Sequence, residues 1–106
     1  MLTQSLKAPY YAVIFVSRKS DNLEGYAEMD ELVMKLATEQ PGYLGYESAG
    51  DKKQGIFISY WQDLAAIENW RRHPIHIQAK NKAVQWYKYY HSQISRVEYN
   101  AVFNNE

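Results

Sequence analysis

The chain has 106 residues, of which 46% are apolar, 23% charged and 15% aromatic, and it contains no cysteine. That supports one globular domain spanning 1–106, with its core at about residues 10–103, and is too little for two. Twelve basic residues balance twelve acidic ones, so neither nucleic acid nor an anionic membrane is favoured as a partner. Without cysteine there is no disulfide framework, thiolate zinc site or cysteine nucleophile, and a reducing compartment is permitted. The longest apolar run, Tyr10 to Val16, falls far below the roughly 20 residues that span a bilayer. The segment Met1 to Lys7 has no apolar core of a secretion signal, so a soluble cytoplasmic protein is the expectation.

Tyr10 to Ser17 is short, β-branched and aromatic, with Pro9 before it and Ser20-Asp21-Asn22 after it, and predicts a strand with two apolar faces. From about Leu23 to Glu39 the period becomes helical, opened by Asp21 or Asn22 as a cap and stopped by Pro41-Gly42. Its apolar arc holds Met29, Leu32, Val33 and Leu36 with Tyr26 and Ala37, opposite Glu28, Glu31, Lys35 and Thr38. Tyr43 to Ala49 and Gly55 to Trp61 read as strands of a hairpin closed by Gly50 to Gln54.

Asp63 is placed to cap a short helix carrying Leu64, Ile67 and Trp70, which His73-Pro74 interrupts. Pro74 then begins a longer helix to about His91, and Ile94 to Phe103 forms the last strand. The order βαββαβ predicts an α+β, ferredoxin-like antiparallel sheet with helices on one face. Helices on one face leave the apolar side chains of the first and third strands uncovered on the other. A second copy packed sheet to sheet would cover them, which predicts a homodimer.

On the helix from Pro74, His76 sits at the centre of an arc that includes Ile75, Ile77, Ala79, Ala83, Val84, Trp86, Tyr87 and Tyr90, and is expected to point toward the sheet. Lys80 shares the stripe, with its stem on apolar surface and its ammonium in solvent or facing a cavity. An inward imidazole is either a core histidine satisfied by one hydrogen bond or a working group in a pocket. Tyr60, Trp61, Trp70, Trp86 and Tyr87 supply flat side chains for a cavity that takes a planar ligand; equally, sixteen aromatics can simply fill the core. His73 is positioned to cap backbone groups, and His91 to sit near a helix carboxyl end. Arg71 and Arg72 can bind a carboxylate or phenolate, or remain solvated. No Gly-rich phosphate loop, zinc-binding His-Glu helix, Gly-x-Ser-x-Gly elbow or EF-hand spacing is present. The positions of His73, His76 and His91 do not suggest a metal site.

The string Ile58-Ser59-Tyr60-Trp61, then Trp70, His73-Pro74, His76, and Trp86-Tyr87 followed by Tyr90, resembles the antibiotic biosynthesis monooxygenase family, as does the junction Gln40-Pro41-Gly42-Tyr43-Leu44-Gly45. The likeness covers roughly residues 10 to 100. It implies a dimeric α+β barrel and a cofactor-free monooxygenase or oxidase acting on a small aromatic, phenolic molecule, with neither metal nor bound flavin. By position, Trp70 and His76 would be catalytic, and Tyr60, Trp61, Arg71, His73, Lys80, Trp86 and Tyr87 would bind substrate. Haem-degrading relatives instead use an asparagine on the first strand, a tryptophan and an axial histidine. Here Trp70 matches the tryptophan, but the other two positions fall near Ile14 or Phe15 and on Lys80. A ligand-binding dimer without catalysis is the alternative from another functional class.

Overall fold

The computed structural model describes Leu2 and residues 4–106. Its elements are β1 (Tyr10–Lys19), α1 (Tyr26–Thr38), β2 (Tyr43–Gly50), β3 (Gln54–Trp61), α2 (Leu64–Arg71), α3 (Pro74–Trp86) and β4 (Tyr87–Val97). The sheet order is β2-β3-β1-β4 with every neighbouring pair antiparallel. This is the ferredoxin-like α+β arrangement, with the two most apolar strands in the centre, where both edges of each are hydrogen-bonded.

Cross-strand partners share a face, so register sorts the side chains. Tyr11 opposite Trp61, Val13 opposite Ser59 and Phe15 opposite Phe57 look toward the helices. Ala12 opposite Tyr60, Ile14 opposite Ile58 and Val16 opposite Ile56 form the back face. The core lies on the helix side, where Trp61, 1% exposed, packs with Ala37, Ala66, Ile67 and Trp70. The back face is covered unevenly within one chain. Tyr10 and Ala12 are buried, whereas Ile14, Val16 and Ile58 are half-buried and Ile56 is 46% exposed. The two terminal segments are tied together by the Asn100 side-chain amide donating to the Leu6 carbonyl at 2.7 Å and the Val102 N–H donating to Ser5 Oγ at 3.0 Å.

Three boundaries differ from the sequence expectation. Neither Asp21 nor Asn22 caps α1; the helix opens at Tyr26, after Gly25 in the left-handed region with φ 79°. Asn22 Oδ1 instead accepts from the Glu24 N–H at 3.4 Å, and the Tyr26 N–H closes a turn onto the Leu23 carbonyl at 3.0 Å. A residue with a Cβ resists that left-handed turn, so the chain uses glycine there. The long helix ends at Trp86, not near His91, because Tyr87 to His91 pair with the last residues of β1. This stretch is rich in tyrosine, which suits a pleated surface. His91 therefore lies opposite Val16 in the ladder and not at a helix terminus. Finally, β4 stops at Val97, and the expected strand residues from Glu98 to Phe103 are irregular, with Phe103 89% exposed.

Candidate functional site

Between the helices and the helix-facing side of the sheet lies a cavity of about 1000 Å³. β1 forms its floor through Val13, Phe15 and Ser17, and α1 and α3 form its walls. The stripe of α3 that faces it is narrower than the expected arc. Val84 is 86% exposed and Ile77 is exposed, while His76, Ala79, Lys80, Ala83 and Trp86 line the space.

The broken helix builds the His76 end. Asp63 Oδ1 accepts from the Ala66 N–H at 2.8 Å and starts α2, whose buried face sets Ile67 and Trp70 on the core. His73 is held extended, as a residue before proline must be, and its Nδ1 accepts from the Ile75 N–H at 3.1 Å. It thereby caps α3, with Pro74 in the first turn, where a missing N–H costs nothing. The Trp70 ring meets His73 at 5.3 Å and His76 edge-on at 5.4 Å between centroids. The turn between α2 and α3 thus fixes the attitude of His76.

His76 Nδ1 is buried and has no hydrogen-bond partner among the described residues. Burial, then the charges of Arg71, Lys80 and His73, lowers the pKa of the ring below its ordinary value. The imidazole is therefore neutral at pH 7, able to donate at one nitrogen and accept at the other. Arg71 and Lys80 line the cavity, and Arg71 is paired with Glu68 at 3.7 Å.

At the opposite end the Trp86 indole donates to the Glu24 carbonyl at 2.9 Å, which ties α3 to the turn before α1. Tyr26 lies edge-on to Trp86 at 5.5 Å, and the Tyr87 hydroxyl is 3.5 Å from the Tyr26 hydroxyl. Burial raises the Tyr87 pKa, so the phenol stays protonated. Phe15 packs against Tyr87 and Tyr90 at 5.3 and 5.5 Å. Lys19 Nζ sits 5.1 Å from the Tyr26 ring centroid, and Asp30 lines the space nearby.

Of the nine residues singled out from the sequence, Trp61, Trp70, Arg71, His76, Lys80, Trp86 and Tyr87 line this cavity. Tyr60 and His73 do not. Tyr60 is on the back face, where its hydroxyl donates to Glu47 Oε1 at 2.7 Å and its ring meets Tyr10 at 5.6 Å. Strand alternation puts it on the opposite side from Trp61. His73 spends its ring on the helix cap. Sequence reading did not single out Lys19, Phe15 or Asp30 as site residues; the only available signal was that Phe15 belongs to a strand with two apolar faces. Among the described residues, no group of three or more His, Asp or Glu side chains is placed to hold a metal ion. No helix of the described residues is long and apolar enough to cross a membrane.

Sheet order and a cavity roofed by α1 and α3 define a ferredoxin-like α+β protein with an aromatic-walled site. The chain belongs to the antibiotic biosynthesis monooxygenase family, whose sequence profile matches residues 9–82. It is 42% identical over 104 residues to the uncharacterized protein YqjZ of Bacillus subtilis, covering 96% of this chain and 91% of that one. In fold it is similar to a mutant form of SnoaB, a cofactor-independent oxygenase from Streptomyces nogalater, with TM-score 0.75 and 9% identity over 88% of this chain and 97% of that one. It is also similar to a dimeric ferredoxin-like protein of unknown function from Thermobifida fusca, with TM-score 0.70 and 12% identity over 91% of this chain and all of the other.

Proposed function

We propose that this protein is a cofactor-independent oxygenase or oxidase that oxidises a small phenolic molecule held between sheet and helices. The observation that carries this reading is the His76 ring, braced edge-on by Trp70 on the wall of a roomy aromatic cavity. The aromatic walls suit a flat ligand, and His76 is the polar group that would contact its oxygen. An ionised phenol is electron-rich enough to reduce molecular oxygen directly. In the complete reaction of a simple phenol, the ring gives up four electrons, one oxygen atom becomes a quinone carbonyl and the other leaves as water. Family membership and the likeness in fold to SnoaB support this chemistry.

The same reading includes a homodimer joined through the back face, where Ile14, Val16, Ile56 and Ile58 remain accessible in one chain. The dimeric Thermobifida fusca protein supports it. Oxygen uptake measured with a panel of phenols, under air and under argon, tests the activity. Turnover that requires oxygen and falls about 10- to 100-fold in His76→Ala, the scale of a lost hydrogen bond to a charged group, is the expected result. Unchanged turnover in the variant removes His76 from the mechanism, and an inert panel under air rejects the oxidative reading. A monomeric mass by light scattering at micromolar concentration rejects the dimer.

A further inference from the structure

Charge is segregated along the cavity. Its lining includes five charged residues: Lys19, Asp30, Asp51, Arg71 and Lys80. Asp30 and Asp51 both lie within reach of the Lys19 charge, at the end of β1 where Lys19 also covers Tyr26. Arg71 and Lys80 belong to the other end, where both bear on His76. Along the cavity floor, Val13 packs on the core cluster that holds Trp61 and Trp70, and Lys19 is six residues further along β1. At 3.4 Å per residue that is about 20 Å.

Among the described residues, no carboxylate lines the cavity beside His76. Among the described residues no carboxylate lies within 4 Å of Lys80, and Glu68, the partner of Arg71 at 3.7 Å, is outside the cavity lining and shared with Arg72 at 3.3 Å. Lys80 is one helical turn beyond His76, on the same face of α3. Two cations therefore share the cavity lining with an imidazole that lies edge-on to an indole, in a space lined by aromatic rings.

We propose that Lys80, assisted by Arg71, makes the His76 end a receptor for an oxyanion carried on an aromatic ring, so that the ligand binds already ionised and His76 serves it as a neutral hydrogen-bond donor. This rests on the cavity being the substrate site, and it specifies which ligands that site selects. The groups that face His76 are Arg71 from α2, His73 from the turn and Lys80 from α3; the remaining charged lining residues, on β1, α1 and the β2–β3 turn, are at the far end. Transfer of a phenol proton to His76 would set a third positive charge beside two others, which is opposed electrostatically. Loss of that proton to water before binding avoids the conflict, and the resulting anion is attracted by both cations. No bond to the protein forms in this step.

The test uses 4-nitrophenol, whose ionised form absorbs in the visible and whose neutral form does not. Titrated against the intact protein across pH 5–8, the bound probe is expected to have its pKa lowered by at least about one unit, equivalent to at least tenfold preference for the anion. Lys80→Met is expected to abolish most of that preference and Lys80→Arg to retain it. Competition by 2-naphthoate but not by neutral 2-naphthamide identifies a site that accepts carboxylates; competition by neither identifies one restricted to phenolates. A bound probe that stays neutral, no binding of either form, or equal behaviour of Lys80→Met and Lys80→Arg overturns the proposal. Anion binding without oxygen uptake from any phenol would reject the oxidative reading alone. Oxygen uptake with the probe bound neutral would reject the oxyanion receptor alone.

Discussion

Gly42 holds the spacing between the sheet and the helix that carries Trp70, and Gly42→Ala measures how tightly. Gly42 has φ 85°, and a Cβ there would lie 2.6 Å from the Cβ of Ala66, a buried residue of α2. The loop has little room to retreat, because the Gly42 carbonyl accepts from the Gln62 N–H at 2.7 Å. Two costs follow. Left-handed backbone at a residue with a side chain costs about 1–2 kcal/mol. Relieving the overlap requires separations of about 3.5–4.0 Å, hence a shift of roughly 1 Å in α2, and overpacking of this kind costs about 1–3 kcal/mol. Together they remove about 2–5 kcal/mol from a domain whose whole stability is on the order of 5–15 kcal/mol. Urea unfolding followed by far-ultraviolet circular dichroism measures the loss, and the double variant with Ala66→Gly separates its parts. Ala66→Gly alone is destabilising, by about 1 kcal/mol for glycine in a helix, yet in the pair it should recover about 1–3 kcal/mol because the clashing methyl is gone. If the two losses add within about 0.5 kcal/mol, or Gly42→Ala costs less than about 1 kcal/mol, the close approach of loop to helix does not govern this junction.

Two further predictions concern the residues that hold His76. Because folding lowers the His76 pKa, the unfolded chain takes up a proton below about pH 6.5 that the folded chain excludes. The stabilising contribution is thus present above that pH and lost as pH falls toward the folded pKa. Thermal melts between pH 7.5 and 5.5 should show a decline that His76→Phe flattens, and an identical slope in the variant would dismiss the linkage. Asp63→Ala and His73→Ala each remove a helix cap, at about 1 kcal/mol apiece. Both should lower the melting temperature by roughly 4–8 °C, with His73→Asn keeping most of the loss at bay. A His73→Ala protein as stable as the parent would show that the cap contributes nothing.

The boundaries that sequence reading placed correctly are those written in local chemistry. Pro41-Gly42 ends α1, Asp63 starts α2, and His73-Pro74 divides α2 from α3 with the ring as cap. The junction of α3 and β4 carries no such mark, since Trp86 and Tyr87 are consecutive residues of different elements. Helical periodicity ran through it because Tyr87 and Tyr90, three residues apart, share a face in a helix. They share one in β4 as well. The pairing shifts between Arg18 and Lys19, so that Tyr87 opposes Lys19 and Tyr90 opposes Ser17, and both line the cavity. A β-bulge restored the spacing that alternation would have broken, and two geometries therefore fit one pattern.

The site was legible where a helix carried it and ambiguous where a strand did. On α3, the position of His76 relative to Ala79 and Ala83 specifies an inward ring whatever packs opposite, and the ring does line the cavity. On β3, consecutive residues must point to opposite faces, so Tyr60 and Trp61 cannot both enter the same space. Local sequence could not choose between them, because Ile56, Phe57, Ile58 and Tyr60 leave neither face of the strand polar. Register against β1 makes the choice, sending Trp61 to the helices with Tyr11 and Tyr60 to the back with Ala12. The far end of the cavity is still less local, since Lys19, Asp30 and Tyr87 come together only through strand pairing and the packing of α1 on the sheet. The two-sided apolarity that concealed the parity of β3 is also what leaves Ile56 and Ile58 facing outward. The same feature that blurred the site in the sequence is the reason to expect a second subunit behind the sheet.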